Sequence, residues 1–140
     1  MSDLITISDL VVDFDTKRGI LHAVRGVSLN IAAGESVGIV GESGSGKTVF
    51  SRATMGLLRG RKVHRTGQII FEGTDLRTLD SEQVREYWGT KISMVFQDPM
   101  TALNPVRRIG SQMTESLVKR LGMSKADAKM RSIELLSQVR

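Results

Sequence analysis

Hydrophobic and polar residues follow two patterns along the chain. Up to about residue 105, apolar residues occur in short runs that partly alternate with polar ones and are separated by turns, which is typical of β-strands. This pattern predicts strands at residues 4–14, 20–31, 68–71 and 91–96. From about Val106 onward, apolar residues recur every four positions, which predicts helices; the first such series is Ile109, Met113, Leu117 and Leu121.

A glycine-rich loop interrupts the strand pattern. Before it, the run Ser36–Val40 is too apolar for a half-exposed strand and predicts a buried strand of a parallel sheet. After it, residues 47–58 carry apolar side chains on one helical face, and Gly60 is the expected end of that helix. The sequence therefore predicts a strand, a glycine-rich loop and a helix in succession.

Helix starts are marked by capping sequences. Asp80 is followed by Gln83 three residues later, and Ser124 by Asp127, and both spacings are typical of helix N-termini. Gly122 fits the end of the helix that precedes Ser124. We expect a mixed α/β part at residues 1–105 and the beginning of a helical part at residues 106–140.

Composition limits the function classes. The chain has 140 residues, of which 40% are hydrophobic and 25% are charged, as in a soluble globular core. It has no cysteine, which excludes disulfides and thiolate metal sites, and its two histidines do not form a metal-binding cluster. No apolar run is long enough for a membrane span, and the start lacks the order of a secretion signal. We expect a cytoplasmic protein.

The net charge of +5 does not by itself indicate what kind of molecule the protein binds. The densest basic stretch contains Arg59, Arg61, Lys62 and Arg65, without interleaved aromatic residues. It is interpreted either as a solvated basic loop, which would include His64, or as a patch for phosphate or nucleic acid.

The loop residues match the phosphate-binding pattern G-x-x-x-x-G-K-[ST] in full. They are Gly41, Glu42, Ser43, Gly44, Ser45, Gly46, Lys47 and Thr48. The glycines let successive backbone N–H groups point inward, at the positive end of the following helix, where they can hold nucleotide phosphates. Lys47 can reach the β- and γ-phosphates, and the Thr48 hydroxyl can bind Mg²⁺. A plain glycine-rich turn is the structural alternative, and the loop alone does not separate kinases, GTPases and transport ATPases.

A second motif narrows the interpretation. Phe96–Pro99 reads Phe-Gln-Asp-Pro, and Ala102–Pro105 reads Ala-Leu-Asn-Pro. With the phosphate loop, this resembles the ATP-binding subunits of ABC transporters, in the branch that energises import of dipeptides, oligopeptides or nickel. The resemblance covers essentially the whole chain, including Ala23–Leu29. It implies a P-loop NTPase fold of the α/β class, a RecA-like core with an antiparallel β-subdomain, incomplete here, plus the start of the helical subdomain.

The resemblance also implies roles for individual residues. Gln97 corresponds to the Q-loop glutamine, a Mg²⁺ ligand together with Thr48. Phe14 occupies the position where the family usually has a tyrosine or other aromatic residue that stacks on adenine, although a core position for Phe14 fits the strand as well; His22 is a weaker candidate for stacking. Met100–Arg108 would face the membrane partner.

Three parts of the family's hydrolytic site are absent from the 140 residues. These are the Leu-Ser-Gly-Gly-Gln signature, a Walker B strand ending in Asp-Glu, and the switch histidine. We therefore expect the N-terminal part of a longer subunit, truncated before the signature, that binds ATP and Mg²⁺ weakly and does not hydrolyse ATP by itself.

The resemblance implies partners as well. The full subunit would work at the cytoplasmic face of the membrane, attached through transmembrane permease subunits, and would pair with a second ATP-binding subunit, without direct cargo contact. Nucleic acid is not expected as a partner. The alternatives are a soluble P-loop ATPase acting on nucleic acid and an inactive remnant.

Overall fold

The chain forms two compact units, Met1–Arg85 and Glu86–Arg140, in a computed structural model that describes residues 3–96 and 103–139. In chain order, the elements are β1 (Asp3–Thr16), β2 (Gly19–Ala32), α1 (Lys47–Thr54), β3 (Val63–Phe71), β4 (Thr74–Asp75), α2 (Ser81–Tyr87), α3 (Ile109–Lys119) and α4 (Lys125–Gln138). The boundary between the units falls within α2, and each unit is described separately.

The strands of the first unit form one antiparallel sheet. Its order is β2-β1-β3-β4, with β1 paired along its length to β2 on one side and to β3 on the other. One face of this sheet carries the core, because strand residues alternate between two faces. The side chains that are almost completely buried there include Ile7, Leu10, Val12 and Ile69. The predicted strands 4–14 and 20–31 are confirmed, as is the antiparallel part of the predicted fold class.

The third strand is longer than its hydrophobic run indicated. β3 begins at Val63 rather than at residue 68, because Val63 and the residues after it pair with the outer half of β1. His64 and Arg65 therefore lie in a strand, and their interpretation as part of a solvated loop is wrong.

A β-bulge interrupts the pairing of β1 with β3. The register shifts between Ser8 and Val11, and Gly67 lies opposite the shift with φ +88°. A Cβ at Gly67 would be 2.3 Å from the carbonyl oxygen of Asp9, which is closer than any side chain can approach. The bulge therefore needs glycine at this position.

Two predicted strands do not form. Residues 36–40 have no strand assignment, and the segment predicted as a strand at 91–96 contains only an isolated parallel bridge between Ile92 and Trp88. Val40 and Val95 are 94% and 97% exposed. A strand predicted from its apolar run is stable only when neighbouring strands accept its hydrogen bonds and cover its faces. Within the described part of the chain, neither segment is paired with a strand of the sheet.

Helix starts follow their capping sequences closely. In α2, Asp80 Oδ1 accepts the backbone N–H groups of Glu82 and Gln83, and Gln83 Oε1 accepts the N–H of Asp80 at 2.9 Å. In α4, Ser124 Oγ accepts the N–H of Asp127 at 3.1 Å. Both capping predictions are confirmed.

Helix ends are less predictable. α3 stops at Lys119, shortly before Gly122, which has φ +65° as expected of a terminating glycine. α1 ends at Thr54, earlier than the predicted Leu58, because Gly56 adopts φ +66° and the N–H of Leu57 bonds back to the carbonyl of Arg52. Gly60 is therefore not the end of this helix.

Among residues 3–96 and 103–139, none of the helices has both the length and the apolar character needed to cross a membrane.

Candidate nucleotide-binding site

The glycine-rich loop leads directly into α1 and adopts a backbone shape that only glycine tolerates well. Gly44 and Gly46 have φ values of +82° and +91°, in the left-handed region. Gly46 also packs tightly against β2, since a Cβ there would be 2.3 Å from the carbonyl oxygen of Ala23. The loop is therefore fixed to the sheet by a backbone contact that excludes any side chain at position 46.

Lys47 closes the loop on itself. Its Nζ donates hydrogen bonds to the carbonyl oxygens of Gly41 and Glu42, both at 2.7 Å, and to Ser45 Oγ at 3.2 Å. The ammonium group is therefore held inside the loop by the loop's own oxygen atoms. It contributes the positive charge that a phosphate chain would need there.

The start of α1 is open to an anion. No side chain caps the helix within the described residues, and its first turn contains no acidic residue. The first N–H groups of a helix have no partner within the helix, and the helix dipole makes this end positive. Loop, lysine and helix end together fit a phosphate group.

A cavity of about 780 Å³ extends from this loop along β2, a size suited to a small-molecule ligand. Its lining comprises His22–Arg25, Val27–Leu29, Val37–Gly41, Gly44–Lys47 and Phe50. The cavity thus lies entirely within the first unit and has the phosphate loop as one of its walls.

The other three candidate residues are Thr48, Phe14 and Gln97. Thr48 is exposed in the first turn of α1, next to Lys47. Phe14 is half-buried in β1, where it pairs with Leu21 and Val63, and it is not among the residues that line the cavity. Gln97 lies outside the described residues, so the geometry of a shared Mg²⁺ site with Thr48 stays a prediction.

Sequence reasoning assigned no role in the phosphate site to one cavity residue, His22. It lines the cavity and places Nδ1 2.9 Å from Asp13 Oδ1. The motif contains no signal for it, because the contact depends on how β2 pairs with β1 and on where the loop packs.

The geometry agrees with comparisons to known proteins. A family profile described as ABC transporter matches residues 24–140, which is most of the chain. The chain belongs to the ABC transporter family. The predicted resemblance is therefore confirmed.

Among curated relatives of this ABC transporter chain are two peptide-transport proteins. It is 44% identical over 137 residues to the oligopeptide transport ATP-binding protein OppD of Bacillus subtilis, covering 97% of this chain and 38% of that protein. It is also 44% identical over 137 residues to the dipeptide transport ATP-binding protein DppD of Lactococcus lactis, covering 97% of this chain and 39% of that protein. The chain thus spans about two-fifths of the length of these relatives.

Solved structures support the fold of this ABC transporter chain. A dimeric ATP-binding cassette in a post-hydrolysis state, bound to ADP and Pi, superposes with a TM-score of 0.78 at 23% identity, over 95% of this chain and 56% of that one. A dimeric bacterial ABC transporter cassette gives a TM-score of 0.77, also at 23% identity and the same coverage. The predicted fold class is confirmed by these similarities.

Proposed function

We propose that Gly41–Thr48 binds the phosphates of ATP. The observation that carries this proposal is the placement of Lys47 Nζ inside a loop of left-handed glycines, at the uncapped start of α1. Backbone N–H groups of the loop would hold the phosphate oxygens, and the lysine would neutralise the charge of the terminal phosphates. The cavity beside the loop is large enough for the rest of the nucleotide.

Mg²⁺ would accompany the nucleotide. Hydroxyl and amide oxygens are suitable ligands for this hard cation, and Thr48 and Gln97 would supply them. When bound, the ion supplies charge neutralisation between the phosphates. Phe14 remains the candidate for stacking on adenine.

The full protein would energise peptide import. The names of the curated relatives and the two motifs support an ATP-binding subunit that attaches to transmembrane permease subunits at the cytoplasmic face of the membrane. It would pair with a second ATP-binding subunit, identical or related, and would not contact the peptide. Closure of the pair on ATP would move the permease between its two accessible states.

Hydrolysis requires groups that these 140 residues do not contain. A metal-binding Walker B carboxylate, a general-base glutamate and the signature motif are absent from the sequence. We therefore propose that the chain by itself binds MgATP without turnover.

Calorimetric titration of the purified chain with MgATP tests the binding. Lys47→Ala should weaken the affinity by about tenfold or more, because a charge-assisted contact to phosphate is lost. Lys17→Ala is the matched control, since this lysine lies in the exposed β1–β2 turn, and it should leave the affinity unchanged.

A phosphate-release assay on the same samples tests turnover. No release above the Lys47→Ala background is expected. Absence of nucleotide binding by the folded wild-type chain would refute the binding proposal, and turnover that disappears in Lys47→Ala would refute the proposed lack of hydrolysis.

A further inference from the structure

Three arginines lie close together beside the first half of β3. Arg59 lies in the loop that joins α1 to β3, Arg65 lies in β3, and Arg77 follows β4. Nη2 of Arg77 donates a hydrogen bond to the carbonyl oxygen of Arg65 at 3.1 Å, and Nε of Arg59 donates to the carbonyl oxygen of Gly56 at 3.2 Å. The three residues are called the arginine cluster below.

Arg65 points toward the core side of the sheet. Its register partner on β1 is Val12, which is fully buried, and directly opposite residues share a face. Along β3, Arg65 also lies in phase with the buried Ile69. Arg65 is therefore half-buried, whereas Arg59 and Arg77 are exposed. The cluster combines one partly shielded guanidinium with two that are open to solvent.

The arginine cluster has no ion-pair partner in the described part of the chain. Among those residues, no carboxylate forms an ion pair with any of the three guanidinium groups. Asp75 Oδ1 accepts the backbone N–H of Arg77, and Asp80 Oδ1 accepts two N–H groups at the start of α2. Because a charge withdrawn from water is costly unless it is paired, an anion bound at the cluster would be stabilised.

The positive charges of the cluster act on one another. Burial, and after it the charges of Arg77 and Arg59, lower the pKa of the Arg65 guanidinium. Each of these causes disfavours the positive charge on Arg65, and a bound anion would oppose them. Since an arginine side chain stays protonated at neutral pH, the cluster presents three positive charges to a ligand.

We propose that Arg59, Arg65 and Arg77 bind a phosphate group. A guanidinium donates paired N–H groups that match the oxygens of phosphate, and a phosphate monoester carries about −1.5 to −2 charges at neutral pH. A single carboxylate would leave most of the cluster without a counter-charge. None of the three arginines lines the cavity beside Gly41–Thr48, so this site is separate from the proposed nucleotide site.

This proposal selects between the two interpretations of the basic stretch. Arg59 and Arg65 belong to the cluster together with Arg77, which lies outside that stretch. Arg61 and Lys62 are exposed and are not among the charges that act on Arg65. A nucleic-acid strand is bound by charges spread along a groove and by aromatic side chains that stack on bases. Three clustered guanidiniums, in a stretch without aromatic residues, favour a single phosphate group.

Nuclear magnetic resonance of the arginine Nε–Hε groups can test the site directly, with inorganic phosphate as the probe. The titration uses the Lys47→Ala chain, in which phosphate binding at the glycine-rich loop is weakened. The signals of the cluster, assigned with Arg59→Gln, Arg65→Gln and Arg77→Gln, should shift together and reach saturation. The signal of Arg61 should keep its position, and sodium chloride at equal ionic strength should not reproduce the shifts.

Affinity measurements in the same background give a second readout. Arg77→Gln is the principal variant, because Arg77 is exposed and its replacement spares the core. It should weaken phosphate binding about fivefold, as expected for the loss of one charge-assisted contact at an exposed site. Arg61→Gln, from the same basic stretch as Arg59, is the matched control and should leave the affinity unchanged. Should Arg65→Gln fail to fold, Arg77→Gln decides.

Vesicle sedimentation identifies the source of the phosphate, since inorganic phosphate and a lipid headgroup share this chemistry. Phosphatidylcholine vesicles that contain phosphatidic acid are compared with vesicles of phosphatidylcholine alone. Binding to the first kind that Arg77→Gln reduces would assign a lipid headgroup to the site. Binding of inorganic phosphate without binding to either vesicle would assign a soluble phosphate, and both results support the proposal.

Four results would overturn this inference. They are the absence of saturable shifts, shifts that chloride reproduces, equal losses of affinity in Arg61→Gln and Arg77→Gln, and binding to a single-stranded oligonucleotide without binding to phosphate. The proposed nucleotide binding is tested separately, by MgATP titration of the wild-type chain. Its failure would leave the arginine cluster unaffected, so the two proposals can fail independently.

Discussion

Gly44 and Gly46 of the glycine-rich loop meet different structural requirements, although both are glycine in the sequence. Gly44 needs its left-handed backbone but has open space where a Cβ would be. Gly46 has the same backbone requirement and also contacts the carbonyl oxygen of Ala23. Position 46 therefore couples the loop to β2, and the pattern of the sequence does not reveal this coupling.

Gly46→Ala should destabilise the first unit and disable the loop. The left-handed backbone costs a non-glycine residue about 1–2 kcal/mol, and the 2.3 Å approach to Ala23 forces the loop away from β2 in addition. We expect a decrease of more than about 2 kcal/mol in the free energy of unfolding, measured by urea denaturation, and loss of MgATP binding.

Gly34→Ala is the control that measures the cost of a left-handed backbone without a close contact such as the one between position 46 and Ala23. Gly34 has φ +78° in the turn after β2, and a Cβ added there would meet nothing within 4 Å, so this variant should show the backbone cost alone and keep its affinity for nucleotide. If both variants lost the same free energy of unfolding, the contact with Ala23 would have no role in holding the loop.

At the scale of elements, sequence reasoning succeeded where the stabilising contacts are local. The capping residues Asp80 and Ser124 act on N–H groups within three residues of themselves, so spacing alone predicts them. The predicted strands at 36–40 and 91–96 do not form, apart from an isolated bridge at Ile92, because a strand depends on neighbours far away in the sequence. The length of β3 was underestimated for a related reason, because its first half is polar and forms a strand by pairing with β1.

The cap of α2 gives a pH dependence with a defined sign. Hydrogen bonds from the backbone N–H groups of Gln83 and Glu82 lower the pKa of Asp80 below its ordinary value of 3.8. A carboxylate with a lowered native pKa contributes stability above its ordinary pKa and loses it as the pH falls through the native value. Asp80→Asn should thus be less stable than wild type at neutral pH, and the difference in free energy of unfolding should shrink in acid.

Urea denaturation at neutral pH and at several acidic pH values measures this difference. Asp80→Ala is the companion variant, because it removes the oxygen acceptor as well as the charge and should stay less stable than Asp80→Asn. A wild-type advantage over Asp80→Asn that grows on acidification would contradict the assigned cause.

For the whole molecule, the eight residues of the motif predicted a glycine-rich loop before a helix, whereas they did not predict the cavity beside it. The motif fixes the loop because its glycines and lysine act within one turn of chain. His22 lines this cavity from β2, which is held in place by its pairing with β1, and Phe14 of β1 is not among the lining residues. A short motif cannot predict which residues from other strands will lie next to it, because that depends on strand pairing.

The apolar segment before the loop, residues 37–40, is exposed to solvent. Val37, Ile39 and Val40 are 40%, 46% and 94% exposed, and no strand among the described residues pairs with them. Contiguous exposed apolar residues with unpaired backbone groups favour association between molecules. We expect the chain to self-associate as its concentration rises and to bind a hydrophobic dye, and Val40→Ser should reduce both effects.

Sedimentation velocity over a range of protein concentrations measures this association. Val106→Ser is the matched control: Val106 is 89% exposed, but two arginines follow it and it belongs to no apolar run, so its removal should change little. Because the effect is attributed to the run rather than to one exposed valine, equal reductions in the two variants would contradict the explanation. A wild-type chain that stays monomeric at all concentrations without binding the dye would show that the segment is covered in solution.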